Sequence, residues 1–164
     1  MMGYMVFFEK GGIMKSYTVC YLIRDNKFLM LYRNKKEVDI NKGKWIGVGG
    51  KIELGESPHE SIKREVKEET GYNLNECVLR GMPVFVYNGI TEYIYVFTSE
   101  DFSGEMIACD EGDLKYIPKD KILDLNIWEG DKYFLKDLID DKKEFFVYRM
   151  EYENDKLVSV IKEQ

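Results

Sequence analysis

The sequence predicts one layered domain of α+β or mixed α/β class, and three observations carry that reading. β-rich runs stand near both ends of the chain, helical segments with clear start and stop residues stand between them, and no repeat or low-complexity linker divides them. With 164 residues, 45% hydrophobic and 33% charged, the chain can bury a core and has the composition of a globular protein.

The elements follow in order. "YTVCYLIR" (17–24) and "KFLMLYR" (27–33) are strand-like runs joined by Asp25-Asn26, a turn pair, and predict a hairpin. "NKGKWIGVGGKIELGE" (41–56) is glycine-rich, with a short apolar piece at Trp45 to Val48, which suits backbone that turns or approaches something closely. A helix over 58–70 comes next: Ser57 suits the N-cap, Pro58 the first turn, Glu60 completes a capping box and Gly71 stops it. "CVLRGMPVFVYNG" (77–89) and "TEYIYVFTSE" (91–100) read as strands joined through Asn88-Gly89. A short strand at 112–117, a brief helix after Pro118, a longer helix over 128–141 and a terminal hairpin turning at Glu153-Asn154-Asp155 complete the chain. Residues 1–13 read as an N-terminal extension, because a purine-rich coding stretch for "EKGGIMK" would place a translation start at Met14.

Charge and cysteine usage narrow the function. A net charge of −6 argues against a nucleic-acid polymer as partner, although a bound divalent metal would let an acidic site hold a small anion. The three cysteines, Cys20, Cys77 and Cys109, form neither a metal pair nor a disulfide framework, as expected in a reducing cytoplasm. No run is long and apolar enough to span a membrane, and the single histidine, His59, excludes a multi-histidine mechanism within one chain.

Glu65, Glu68 and Glu69 stand out. On a helix they are i, i+3 and i+4 and share one side, next to the apolar seam of Ile62 and Val66. Carboxylates at the margin of a buried face are costly unless paired. Either the run is a solvated acidic face, or a cation sits on it; with no matching histidine or cysteine the ligands would be hard oxygens, which favour magnesium or manganese.

The wider pattern runs Gly50, five residues, Glu56, seven residues, then Arg64-Glu65-Val66-Lys67-Glu68-Glu69-Thr70-Gly71. It resembles the Nudix box, the motif of the Nudix hydrolases, departing only at its last position, where Tyr72 replaces an aliphatic residue. The resemblance implies an α/β/α sandwich with the box as loop–helix–loop. It also implies magnesium, with manganese as a substitute, held by Glu65, Glu68 and Glu69 with help from Glu56 and the Gly50 carbonyl. Arg64 would orient a box carboxylate, and a water activated by the metal and a carboxylate base would attack a phosphorus of a diphosphate linkage. Either Glu65 or Glu111 is the base; Glu111 alternatively serves as a metal ligand or a plain turn residue. Lys51 would contact phosphate or simply face solvent.

"LYRNKK", "GKWIGVGGK", "DEGDLKYIP" and "WEGDKYF" extend the likeness, from about residue 17 to the end, to the oxidised-purine nucleoside triphosphate diphosphatases, the 8-oxo-dGTP-hydrolysing branch of that family. In that likeness Trp128 walls a base pocket, Asp131 hydrogen-bonds the purine edge, and Arg33, Lys35 and Lys36 line its mouth; otherwise Trp128 anchors a helix, Asp131 is a first-turn acid and the three bases are simply exposed after a strand. Mammalian members carry a base-contacting asparagine after the tryptophan of the glycine-rich stretch, where this chain has Ile46. The expected activity is release of a nucleoside monophosphate and pyrophosphate from a small nucleotide, by a monomer or homodimer. The alternatives are hydrolysis of ADP-ribose or a dinucleoside polyphosphate, or nucleotide sensing without catalysis, though sensors often lose box carboxylates that are present here.

Overall fold

The computed structural model describes residues 13–164; the expected extension over 1–13 lies outside them but for the backbone of Ile13. In chain order the strands are β1 (Ile13–Arg24), β2 (Lys27–Arg33), β3 (Trp45–Ile46), β4 (Val48–Lys51), β5 (Asn73–Gly81), β6 (Val84–Tyr87), β7 (Ile90–Ser103), β8 (Gly112–Pro118), β9 (Tyr148–Glu153) and β10 (Lys156–Lys162). Helix α1 (Pro58–Thr70) follows β4, and α2 (Asp131–Ile139) precedes β9.

β1 is the spine of a mixed sheet. One edge pairs in parallel with β7 from Ile13↔Ile90 to Leu22↔Ser99. Its other edge carries β4 over Tyr17–Cys20 and then β2 at the hairpin end. The far edge of β7 pairs with β6 and β5, and β6 leads in parallel to β9 and so to β10. β2 carries β3 and β8. Three hairpin turns have both central residues at positive φ: Asp25-Asn26 (52° and 60°), Asn88-Gly89 (46° and 79°) and Asn154-Asp155 (46° and 65°). That is the geometry that matches strand twist and favours Asn, Asp and Gly.

The period-two alternation along the strands sends neighbours to opposite cores. Cys20 and Leu22 join Leu29, Val48 and Phe97 beneath the Ile62–Val66 seam of α1, whereas Tyr21 joins Phe28, Val96, Phe134 and Leu135 beneath α2. The sheet is therefore covered on both faces, an α/β/α sandwich. Helix α1 has the expected bounds, with Ser57 and Glu60 exchanging the two capping-box bonds and Gly71 ending it at φ 81°. Tyr72 is buried edge-on against Phe102 and bonded to the Tyr116 hydroxyl, so an aromatic ring fills the space an aliphatic side chain would take.

Three expected elements change. The run over 77–89 is two strands, because Pro83 has no N–H to give the ladder; β5 begins earlier, at Asn73, and β6 restarts at Val84. The helix expected over 128–141 is only α2, so Trp128 sits in the turn before it, and the brief helix after Pro118 is a 3-10 helix over Lys119–Asp124.

Candidate active site

A glycine loop and a helix face meet beside β1. At Gly49 a Cβ would fall 1.9 Å from the Thr18 carbonyl oxygen, and at Gly50 it would fall 2.6 Å from the Glu65 carboxylate. Only bare backbone admits β1 at Gly49 and α1 at Gly50 this close. The Gly49 N–H donates to Glu69 Oε2 at 3.1 Å, so two box carboxylates lie directly on the glycine strand.

Arg64 organises the other acids. Its guanidinium donates to both oxygens of Glu56, at 2.6 and 2.9 Å, to Glu65 at 2.8 Å and to Glu68 at 3.3 Å. It holds the Glu56 carboxyl down at about 2. Glu68 is exposed, and neither it nor Glu56 lines the cavity beside the glycines, because both turn toward Arg64 as the nearest cation. Gly50, Glu65, Glu69 and Glu111 do line it.

Glu111 arrives from the loop before β8. The β2–β8 register places Arg33 opposite Gly112, and Arg33 and Lys36 both pair with the Glu111 carboxylate. Burial pushes Glu69 up to about 9, helped by the facing charge of Glu111, while Glu65 is raised by burial against the pull of Arg64. Glu111 stays low because Lys36, the Glu69 proton and Arg33 outweigh its own burial. Facing carboxylates that must share a proton in a cavity fit a hard divalent cation, which would replace that proton and neutralise both. Among the described residues no group of three or more acids, cysteines or histidines is already arrayed as a cage. Arg64 engages Glu65, and Arg33 and Lys36 engage Glu111.

The acids form one end of a cavity of about 660 Å³, within the usual range for a small-molecule site. Trp128, Asp131, Ile46, Phe134 and Tyr152 wall its other end. The Trp128 ring meets Tyr152 edge-on at 5.6 Å, and Lys44 Nζ lies 4.7 Å from its centroid. Asp131 is buried, and burial lifts its carboxyl to about 7 against the weaker pull of Lys44. Lys51 is exposed on the rim; Lys35 and Lys36 do not line this cavity, Lys35 donating to the Cys109 carbonyl at 2.6 Å and Lys36 reaching Glu111 instead.

A polar chain that spacing did not reveal joins the two ends. Arg33, paired with Glu111, donates from Nε to Asp39 at 2.7 Å; Asp39 accepts the Asn41 N–H at 3.0 Å; and Asn41 accepts Trp128 Nε1–H at 2.8 Å. "EVDINKGK" reads only as a polar loop, with nothing to mark Asp39 or Asn41. Glu92, also on the cavity wall, did have a signal: it shares strand parity with Ile90, Ile94 and Val96.

A glycine strand bearing helix carboxylates opens into an aromatic-walled cavity, the layout of a small-molecule site. The NUDIX domain family matches over residues 14–138, and the chain belongs to the Nudix hydrolases. It is 30% identical to an uncharacterised Nudix hydrolase, YvcI, of Bacillus subtilis, over 72% of this chain and 75% of that one. It is 28% identical to the oxidised purine nucleoside triphosphate hydrolase of Danio rerio, over 82% and 85% of the two chains. Its fold superposes on the crystal structure of the MutT protein from Bacillus halodurans with a TM-score of 0.82, at 28% identity, covering 91% of this chain and 97% of that one. Nudix hydrolases generally use divalent metal ions. Among the described residues no helix is long and apolar enough to cross a membrane.

Proposed function

We propose that this chain is a magnesium-dependent nucleoside triphosphate pyrophosphohydrolase, releasing a nucleoside monophosphate and pyrophosphate, with oxidised purines such as 8-oxo-dGTP as preferred substrates. The carrying observation is that one cavity of about 660 Å³ is lined both by the box carboxylates Glu65 and Glu69 and by Trp128 and Asp131. The similarity to enzymes named oxidised purine nucleoside triphosphate hydrolase supports the substrate class. The role is nucleotide-pool sanitation in the cytoplasm, before a polymerase incorporates the damaged base; the three free cysteines suit that compartment.

In this reading Gly50, Glu65, Glu69 and Glu111 hold the magnesium, with Glu56 and Glu68 in support through Arg64; manganese can substitute. When bound, the cation neutralises charge developing on the phosphates. Arg64 keeps Glu65 aimed at the glycine strand, and Arg33 keeps Glu111 facing Glu69. Glu65 or Glu111 takes the proton of the attacking water; the pH dependence of kcat in Glu65→Gln and Glu111→Gln assigns it to the variant that loses the acidic limb. Trp128 stacks the base, Asp131 reads its edge, and Lys51 meets the phosphates at the rim.

The test is product release with and without magnesium across 8-oxo-dGTP, dGTP, the ordinary nucleoside triphosphates and ADP-ribose. Pyrophosphate with a kinetic preference for 8-oxo-dGTP is expected. Turnover of ADP-ribose alone would overturn the substrate, and tight binding without turnover of anything would overturn the enzyme.

A further inference from the structure

The nucleoside end of the cavity has a second wall, formed by the sheet itself. The registers Lys15↔Glu92 and Phe85↔Glu92 set β1, β7 and β6 side by side, with Tyr17↔Ile94 and Tyr87↔Ile90 in the adjoining rows. Partners in register project to the same face, and all these side chains line the cavity. The wall is aromatic and aliphatic except for Glu92 and Lys15.

Glu92 is half-buried and, among the described residues, its carboxylate receives no hydrogen bond; the charge of Lys15 is its only counterweight, and burial raises its pKa. The acids at the phosphate end differ: Glu65 has Arg64, Glu69 has the Gly49 N–H, and Glu111 has Arg33 and Lys36. A half-buried carboxylate without a donor is expensive, and a ligand that brings an N–H to it recovers that cost.

Guanine offers a test of oxidation at this position. Its N7 is an acceptor and repels a carboxylate, whereas oxidation at C8 turns N7 into an N–H donor. We propose that Glu92 is a specificity-determining residue that accepts the N7–H of an 8-oxopurine, so that this wall reads oxidation while Asp131 reads another edge of the base. The inference rests on the nucleotide reading above.

The experiment is calorimetric binding of 8-oxo-dGMP, dGMP and their ribose counterparts to wild type, Glu92→Gln and Glu92→Leu, without metal, with circular dichroism as the fold check. Wild type is expected to prefer both 8-oxo compounds by roughly tenfold or more, the size of one charge-assisted hydrogen bond. Glu92→Leu should lower that ratio about tenfold. Glu92→Gln, whose amide can donate to an unoxidised N7, should tighten dGMP instead. An unchanged ratio in a folded Glu92→Leu overturns the proposal. So does a loss confined to the ribose compounds, which would move the acceptor to a sugar hydroxyl. If wild type binds none of the four, the nucleotide reading falls first.

Discussion

Glu69 shows what one residue costs and supplies. Its carboxyl is buried against Gly49 and Glu111 and holds its proton up to about pH 9. Glu69→Gln keeps the shape but removes the charge the carboxyl would present once a cation displaces its proton, so turnover should fall by roughly several hundredfold or more, the scale of a lost electrostatic stabiliser; steady-state kinetics at saturating magnesium checks it. Asp131 gives a separate prediction in the metal-free protein. Its folded pKa of about 7 lies above the unfolded carboxylate value, so the native state binds the proton more tightly. That contribution is complete below the unfolded pKa and is lost as pH rises through about 7. Thermal melting should therefore show wild-type stability declining between about pH 4 and 7 more steeply than that of Asp131→Asn. The same variant should reorder the bases by kcat/KM, since an amide carries both a donor and an acceptor.

Among the elements, α1 was the most legible, because caps, Pro58 and the Ile62–Val66 seam are local features that fix its ends. The hairpin turns were legible for the same reason. The β5–β6 break was not: Pro83 stands between two runs of similar composition, and only the ladder shows that an N–H was needed there. The loop from Asn34 to Lys44 carried no periodicity, yet it contains the joint between the two ends of the site. Asn41→Ala should free the Trp128 indole, raising KM for a nucleotide several-fold while leaving kcat nearly unchanged. A comparable fall in kcat would mean that the chain through Asp39 and Arg33 also sets Glu111. Asn41→Gln, which retains the amide acceptor, should restore part of the loss.

Across the whole molecule, the box residues lie close in sequence, and their geometry follows from one loop and one helix. The end of the cavity away from the box is assembled from β1, β6, β7 and the turn before α2. Glu92 becomes a wall residue only through register with strands far away in the chain, and Asp131, buried, shares its cavity with Tyr152 of the distant β9. Sequence therefore disclosed the chemistry more readily than the selectivity.

The parallel pairing of β1 with β7 has a consequence for how the chain is made. β1 leaves the ribosome before β7 and can pair with β2 and β4 soon afterwards, but its longest edge must wait until residues 90–103 have emerged. Until then an apolar strand presents unpaired amides and carbonyls, a template for pairing with another nascent chain. Closing so long a loop is slow, so folding speed is governed by one late, non-local encounter. In the cell, this protein's yield should depend on chaperone supply during synthesis more than on the stability of the finished fold.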